Sequence, residues 1–546
     1  MKSDGNGFQL ADISGKTAGK FRSQPVFPQN GDALSFRVFC ASNKLMFAVL
    51  GGFTMLAYGF KMFNYAPFID TGAFINNPDI YDGWFGINRY GAVFTKWVFG
   101  LLRPEPASVY MVSAGMLLVG GAVWNWLFCR LRRGERTPFW QNWIFPCLFV
   151  TAPCLFEILH FECLTFEIAF GLLLLGFALT LLSGWVTDGG SNLRPGLAVL
   201  LFVWIFSIYQ AFVPLAFAGI LACFILICRF LGERENQTPK GLAVQILLRF
   251  AAPYMMGFLI YNLAGWLVRL ILRIPAGGYT DSMVMWKVRP FIACVLSVGK
   301  YILDVLTGQG SLYNMIFPLS VLCLLAFALK KSLKGNKTAY CPWIWLAVLA
   351  LCASPFLLPF LLGGALMARA QLTLPFVAAF GFYLFAAEVT TFFKKQYAPA
   401  VLLAVCMFLS FRQGTVVSRL AYTDDMVYQQ EVMLTTQITN RIGELGLGQI
   451  PSEPVVTVGT ITPILTRSMV TGDTTPGSHY EWDWQSEGGT AGRVRELWGM
   501  QGIFYTTPGT EQIRRSAVLA AGLPVWPADG SVALIEGIII VNLGEQ

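Results

Sequence analysis

The chain has 546 residues, 55% hydrophobic and 13% charged, with a mean hydropathy of +0.57. Soluble domains carry about 25% charged residues, so the composition excludes an ordinary soluble protein and points to a membrane protein. The net charge is +8, yet residues 412–546 hold eight Arg and no Lys against fourteen acidic residues, a net −6 that leaves +14 on the rest. A nucleic-acid binder gathers its basic charge on a soluble face, and this chain does not.

Residues 1–42 are polar, with scattered Gly, Ser, Asn and Pro, and read as a disordered cytoplasmic tail without a cleavable signal peptide. A bilayer-spanning helix needs about 20 apolar residues. Runs of that kind lie near 43–62, 106–129, 139–159, 163–186, 196–209, 210–230, 242–267, 312–329, 342–362, 373–392 and 397–411, the shortest being 196–209 and 397–411. These eleven runs predict a transmembrane domain over 43–411 with loops 63–105 and 268–311 on the external side. The segment Tyr209-Gln210-Ala211-Phe212-Val213-Pro214 predicts a tight external turn between two spans. The run 290–306 is interrupted by Lys300 and Asp304 and predicts a helix lying at the external interface.

Basic residues set the orientation. Lys16, Lys20, Arg22 and Arg37 in the tail, Arg130 to Arg136, Arg229 to Lys240, Lys330 to Lys337, and Lys394 with Lys395 all fall on one side of an eleven-span chain. Lys and Arg gather in cytoplasmic loops, so the N-terminus is expected inside and residues 412–546 outside. That last stretch reads as a small α/β domain. It has helical periodicity over 420–446, a buried strand at Pro454–Gly459, helices at 491–498 and 509–521, and a final hairpin formed by Val532–Glu536 and Ile538–Val541. The twelve Cys sit mostly in apolar runs, with none after Cys406 and no Cys-x-x-Cys pair, which argues against a disulfide framework or a zinc site.

Ionisable residues near membrane depth are costly and mark function. The first external loop holds Asp70, Asp79, Asp82, Arg89 and Lys96, and Asp79–Gly91 mixes acids with Trp84 and Tyr90. Aromatic faces suit sugar rings, a half-dry carboxylate can take a proton from a hydroxyl, and an Arg fork can hold a phosphate. The simpler alternative is a loop with interfacial aromatic anchors. The turn Glu157-Ile158-Leu159-His160-Phe161-Glu162 holds three ionisable groups without the spacing of a known metal motif, and a polar turn capped by its own side chains is its simpler reading. A third segment, Arg269 to Arg289, offers Tyr279, Asp281, Lys287 and Arg289, with Arg369 joining from a short later loop. These cations suit the phosphate of a lipid carrier or, alternatively, snorkel to headgroups. In the last domain, Gly477–Trp484 alternates aromatics with acids, and an ordinary loop with buried Trp is favoured there.

Asp79 through Gly91, Ile208-Tyr209-Gln210-Ala211 and Arg369-Ala370-Gln371 carry a resemblance to the GT-C superfamily of membrane glycosyltransferases, most like the O-antigen glucosyltransferase type II family, over residues 40–411. The resemblance implies a helical membrane enzyme that moves a sugar, glucose first among them, from a polyprenyl-phosphate carrier to a surface glycan such as O-antigen or other lipopolysaccharide. The reaction is expected on the external face of the bacterial inner membrane. It implies a first-loop acid as base, here Asp79, Asp82 or Asp70. The family often carries two adjacent acids, whereas Asp79 and Asp82 are three apart, so the choice stays open. Arg89, Arg369, Arg289 and Lys287 become donor-phosphate residues. Trp84, Tyr90, Glu157, His160, Glu162, Tyr209, Gln210 and Tyr279 become substrate-lining ones. No cofactor is expected, a divalent metal stays open, and no nucleic acid is involved. A flippase would place ionisable groups near the bilayer midplane on broken helices. A glycan polymerase or ligase would carry its large loop late in the chain. Acids in external loops favour transfer.

Overall fold

A computed structural model describes residues 34–77, 80–103, 105, 108–132, 140–232, 241–309, 316–333, 340–389, 393, 395–448, 450–483 and 492–544. Helices occupy all eleven positions that hydropathy picks out. Among the described residues, eight helices are long and apolar enough to cross a membrane, and a ninth span forms if the bent pair Gln141–Val150 and Pro153–Leu159 counts as one. The bend is 46° and falls between Pro146, inside the first helix, and Pro153, which opens the second. Proline removes a ladder hydrogen bond and breaks the helix there. The two remaining positions hold apolar helices of 16 and 14 residues, Leu193–Ile208 and Thr373–Ala386, both short of the span length of about 20. The protein is thus a polytopic helical membrane protein.

Its centre is the helix Phe212–Leu231, 89% buried, whereas Leu242–Leu272 is 17% buried and turns Leu248, Leu259, Leu263 and Leu270 outward. Lipid solvates such a face, so these leucines need no protein partner. Val109–Leu131 packs along Glu162–Asp188, which also supports Leu193–Ile208. Trp124, fully buried, donates to the Leu172 carbonyl at 3.0 Å across the first of these seams.

Two features place the site. The first loop is itself helical, with Thr71–Asn76, Ile80–Gly86 and Tyr90–Phe99. The final apolar run is the start of a single 46-residue helix, Ala398–Gly443, so the division read at 411/412 falls inside continuous helix. Residues 412–419 contain no proline, and the amphipathic stripe beyond them keeps the helix going. Its C-terminal half, with Ile438 and Ile442, packs into a core with Tyr480, Trp498, Ile539 and Val541. That core backs a three-stranded sheet in the order β1-β3-β2, where β1 is Val455–Val458, β2 Val532–Ile535 and β3 Ile538–Asn542. β1 runs parallel to β3, and β2 and β3 form the expected hairpin through Glu536 and Gly537, both at positive φ as a tight two-residue turn requires. The helices Arg493–Met500 and Thr510–Ala520 complete this small α/β region.

Candidate active site

The site is built where the first loop, the turn at Tyr209 and the Arg369 turn come together with the C-terminal α/β region. Two buried ion pairs anchor the first loop. Lys61, at the end of Lys44–Phe63, meets Asp424 of the long helix at 2.7 Å, and Lys96 meets Glu167 at 2.9 Å. A buried ion needs a close partner, which fixes both ends of the loop. Lys96 also lies 4.7 Å from the Phe74 ring centroid and 5.6 Å from that of Trp84. Trp84 stacks parallel to Phe74 at 6.4 Å, so the structure uses it to box in a buried cation.

Asp70 sits just before Thr71–Asn76 in the left-handed region, at φ 77°. A non-glycine residue rarely holds that conformation, and such strain gathers at functional sites. Its side chain is 38% exposed, and its Oδ1 accepts from Arg493 of the C-terminal region. Arg493 also donates to Glu496 Oε2 at 3.1 Å. Burial pushes the Glu496 carboxyl up against the opposing pull of Arg493, while Asp70 and Glu496 together raise the Arg493 guanidinium despite its burial.

Arg89 lies 4.8 Å from the Tyr209 ring centroid, and its Nε donates to Gln210 Oε1 at 3.4 Å. Gln210 in turn donates to the Ile87 carbonyl at 2.7 Å, so the predicted turn holds the loop that carries Arg89. Tyr90 donates to the Tyr261 carbonyl at 3.1 Å. Next to it, Gly91 lies so close to Leu193–Ile208 that an added Cβ would sit 2.1 Å from Ser207 Oγ, which only glycine permits. Arg369 lies 5.0 Å from the Phe161 ring centroid and donates to the Tyr279 hydroxyl at 3.1 Å. Tyr209 lies within electrostatic range of Arg89, Arg369 and Tyr279, and Cys163 within range of Asp70, Lys96, Glu167 and Arg89. Phe68, two residues before Asp70, packs on the same Phe161 ring at 4.3 Å, so Arg369 and the Asp70 end of the first loop share one aromatic support.

The other sequence-read residues are placed differently. Asp79 lies outside the described residues. Asp82 is exposed on Ile80–Gly86, and Lys287 and Arg289 are exposed ahead of the helix Phe291–Thr307. Glu157 and His160 are buried and face protein. Glu157 accepts from the Asp473 amide at 3.2 Å, the Thr474 amide at 2.7 Å and the Thr474 hydroxyl at 2.6 Å. The His160 nitrogens meet the Thr475 and Thr474 hydroxyls at 3.2 and 3.4 Å, and its ring lies 3.9 Å from that of Phe68. Burial, with the Lys61 and Arg369 charges, holds His160 far below its ordinary value, so it is neutral. Glu162 accepts from the Tyr65 hydroxyl at 3.0 Å. His479, in the segment with alternating aromatics and acids, is buried against Glu431 at 2.8 Å. No three His, Cys, Asp or Glu side chains cluster to hold a metal among the described residues.

Sequence reasoning missed Lys61, Glu167, Arg493, Glu496 and Asp473. Lys61, inside the run 43–62, and Glu167, inside the run 163–186, are the two with a signal, because an ionisable group within a span demands a partner.

No curated protein matches the chain at a significant level. Among solved structures, the crystal structure of the Archaeoglobus fulgidus oligosaccharyltransferase, complexed with Zn and sulfate, is similar with a TM-score of 0.34 and 13% identity. That likeness covers 67% of this chain and 53% of the other, so the chain spans about half the length of that protein. A family model described as Glucosyl transferase GtrII matches residues 59–386, the stretch that contains Asp70, Arg89, Tyr209, Tyr279 and Arg369. With well over half of its length matched, the chain belongs to the GtrII glucosyl transferase family.

Proposed function

We propose that this membrane glycosyltransferase moves glucose from a polyprenyl-phosphate carrier to a hydroxyl of a surface glycan such as O-antigen, on the external face of the bacterial cytoplasmic membrane. The observation that carries the reading is that the first loop, which holds Asp70 and Arg89, meets both the Tyr209-Gln210 turn, through Arg89, and the Phe161 ring on which Arg369 lies, through Phe68. Asp70 is the base. Arg493 engages its Oδ1, which leaves Oδ2 to take the acceptor proton. The acceptor oxygen bonds to the anomeric carbon as the bond from that carbon to the carrier phosphate oxygen breaks. The electron pair leaves on the polyprenyl phosphate, and Arg89 and Arg369 neutralise it. Tyr209 and Tyr279 keep the two guanidinium groups in place. Arg229, Lys330 and Lys331, all paired with Glu388, mark the cytoplasmic end in this reading.

The test offers the detergent-purified protein polyprenyl-phosphate-glucose, with other polyprenyl-phosphate hexoses in parallel, and follows release of polyprenyl phosphate with and without glycan acceptor. Asp70→Asn keeps the acceptor oxygen for Arg493 but cannot take a proton, and is expected to lower transfer by about 10²–10⁴-fold. Full transfer by a folded Asp70→Asn would move the base to Asp79 or Asp82. Sugar-lipid movement across a reconstituted bilayer without phosphate release would replace the transferase by a flippase.

A further inference from the structure

We propose that the C-terminal α/β region completes the transferase site, with Arg493 the positioning residue for the Asp70 carboxylate. The proposal rests on the reading of Asp70 as base. Arg493 is 20% exposed and sits between two carboxylates, Asp70 of the first loop and Glu496 one helical turn along its own helix. Glu496 orients the guanidinium, and the guanidinium then orients Asp70. A fork that binds two partners at once fixes direction as well as charge.

The backbone geometry makes the contact a close one. An added Cβ on Gly72 would lie 2.6 Å from Glu496 Cβ and 2.8 Å from the Glu496 carbonyl oxygen. One on Gly499 would lie 2.6 Å from Asn76 Nδ2. The helices Thr71–Asn76 and Arg493–Met500 therefore touch at both ends, with Asp70 immediately before the first. Their register leaves little freedom to the left-handed Asp70, and Arg493 takes up what remains.

The same region reaches the cation side of the site. Asp473 Oδ2 accepts from the Ala368 amide at 2.7 Å, one residue before Arg369. The Asp473 and Thr474 amides hold Glu157, on the helix Pro153–Leu159 that leads to Phe161, the ring on which Arg369 lies. One C-terminal region thus touches the supports of both the acid and an arginine, although the family match ends at residue 386.

The experiment uses the full-length protein in detergent and the polyprenyl-phosphate sugar that it turns over. It compares Arg493→Gln, Arg493→Lys, Gly72→Ala and Arg493→Gln combined with Asp70→Asn, each checked for thermal unfolding. A misplaced reacting group costs about 10²-fold. Arg493→Gln is expected to lower kcat by about that factor with the donor KM within about twofold, because Arg493 contacts the base and not the donor. Arg493→Lys should recover part of the loss, and Gly72→Ala should lower kcat without changing a charge. In the Asp70→Asn background Arg493→Gln should add nothing, since a residue acting through Asp70 has nothing left to position. Wild-type kcat in Arg493→Gln, beside an inactive Asp70→Asn, would overturn the proposal and leave Asp70 as base. A fully active Asp70→Asn would remove the base assignment itself. If Arg493→Gln does not fold, unchanged kcat in Arg493→Lys and Gly72→Ala overturns the proposal instead.

Discussion

Lys61 and Asp424 are 363 positions apart in the chain and 2.7 Å apart in space, both almost fully buried. The same ammonium donates to the Ala66 carbonyl at 2.7 Å, so one cation ties the first loop to the long helix that carries the C-terminal region. Removing one partner of a buried pair leaves an uncompensated charge and typically costs about 3–5 kcal/mol, whereas replacing both with apolar residues of similar volume is often neutral. Asp424→Ala is therefore expected to lower the unfolding temperature in detergent sharply. Lys61→Met with Asp424→Leu should recover most of that loss. A double variant no more stable than Asp424→Ala would show that the pair acts through something other than its charge.

The two arginines near Tyr209 predict a different pattern. Arg89 combines a ring contact with a hydrogen bond to Gln210, and Arg369 combines one with a hydrogen bond to Tyr279. Lysine offers a point charge and cannot make both contacts at once. Arg89→Lys and Arg369→Lys are each expected to lower kcat/KM for the lipid-linked donor by about tenfold, and the Gln variants by about 10²-fold, with unfolding temperatures near wild type. Steady-state kinetics over a range of donor concentrations read this directly. Wild-type kcat/KM in both Gln variants would take the leaving phosphate elsewhere, with the exposed Lys287 and Arg289 next to be tested.

Much of this architecture is legible in the sequence. The bilayer dictates helix length, so apolar runs locate helices, and all eleven runs are helical even where two fall short of a span. The β2–β3 hairpin was readable from Glu536-Gly537 between two β-branched runs. The end of the last apolar run misled, because hydropathy stops at Phe411 while the backbone continues to Gly443. Loop ionisables single out Asp70, Arg89 and Arg369 as candidates, since such groups are rare in so apolar a chain. Arg493 was invisible for a physical reason. It lies 423 positions from Asp70, on a short amphipathic helix where an arginine looks like ordinary solvated surface. Glu157 and His160 misled in the opposite direction. Their polarity marked them as ligand-facing, yet the Thr474 and Thr475 hydroxyls, more than 300 positions away, satisfy them.

That burial of His160 gives a pH dependence whose sign follows from its surroundings. The ring is fully buried beside Phe68, Phe156 and Phe161, and its folded pKa lies well below the ordinary 6.5. Below that ordinary value the unfolded chain takes up a proton that the folded chain does not, so the unfolded state gains and stability falls as the pH drops. Above it both states are neutral and the contribution is flat. A single such group costs about 1.4 kcal/mol by about pH 5.5 relative to about pH 7.5. Glutamine at this position donates and accepts toward both threonine hydroxyls without titrating. His160→Gln should therefore show a smaller fall in unfolding temperature between those two pH values than the wild type does. Parallel curves for the two proteins would mean that His160 takes up its proton inside the fold, and that the Thr474–Thr475 segment moves to let it.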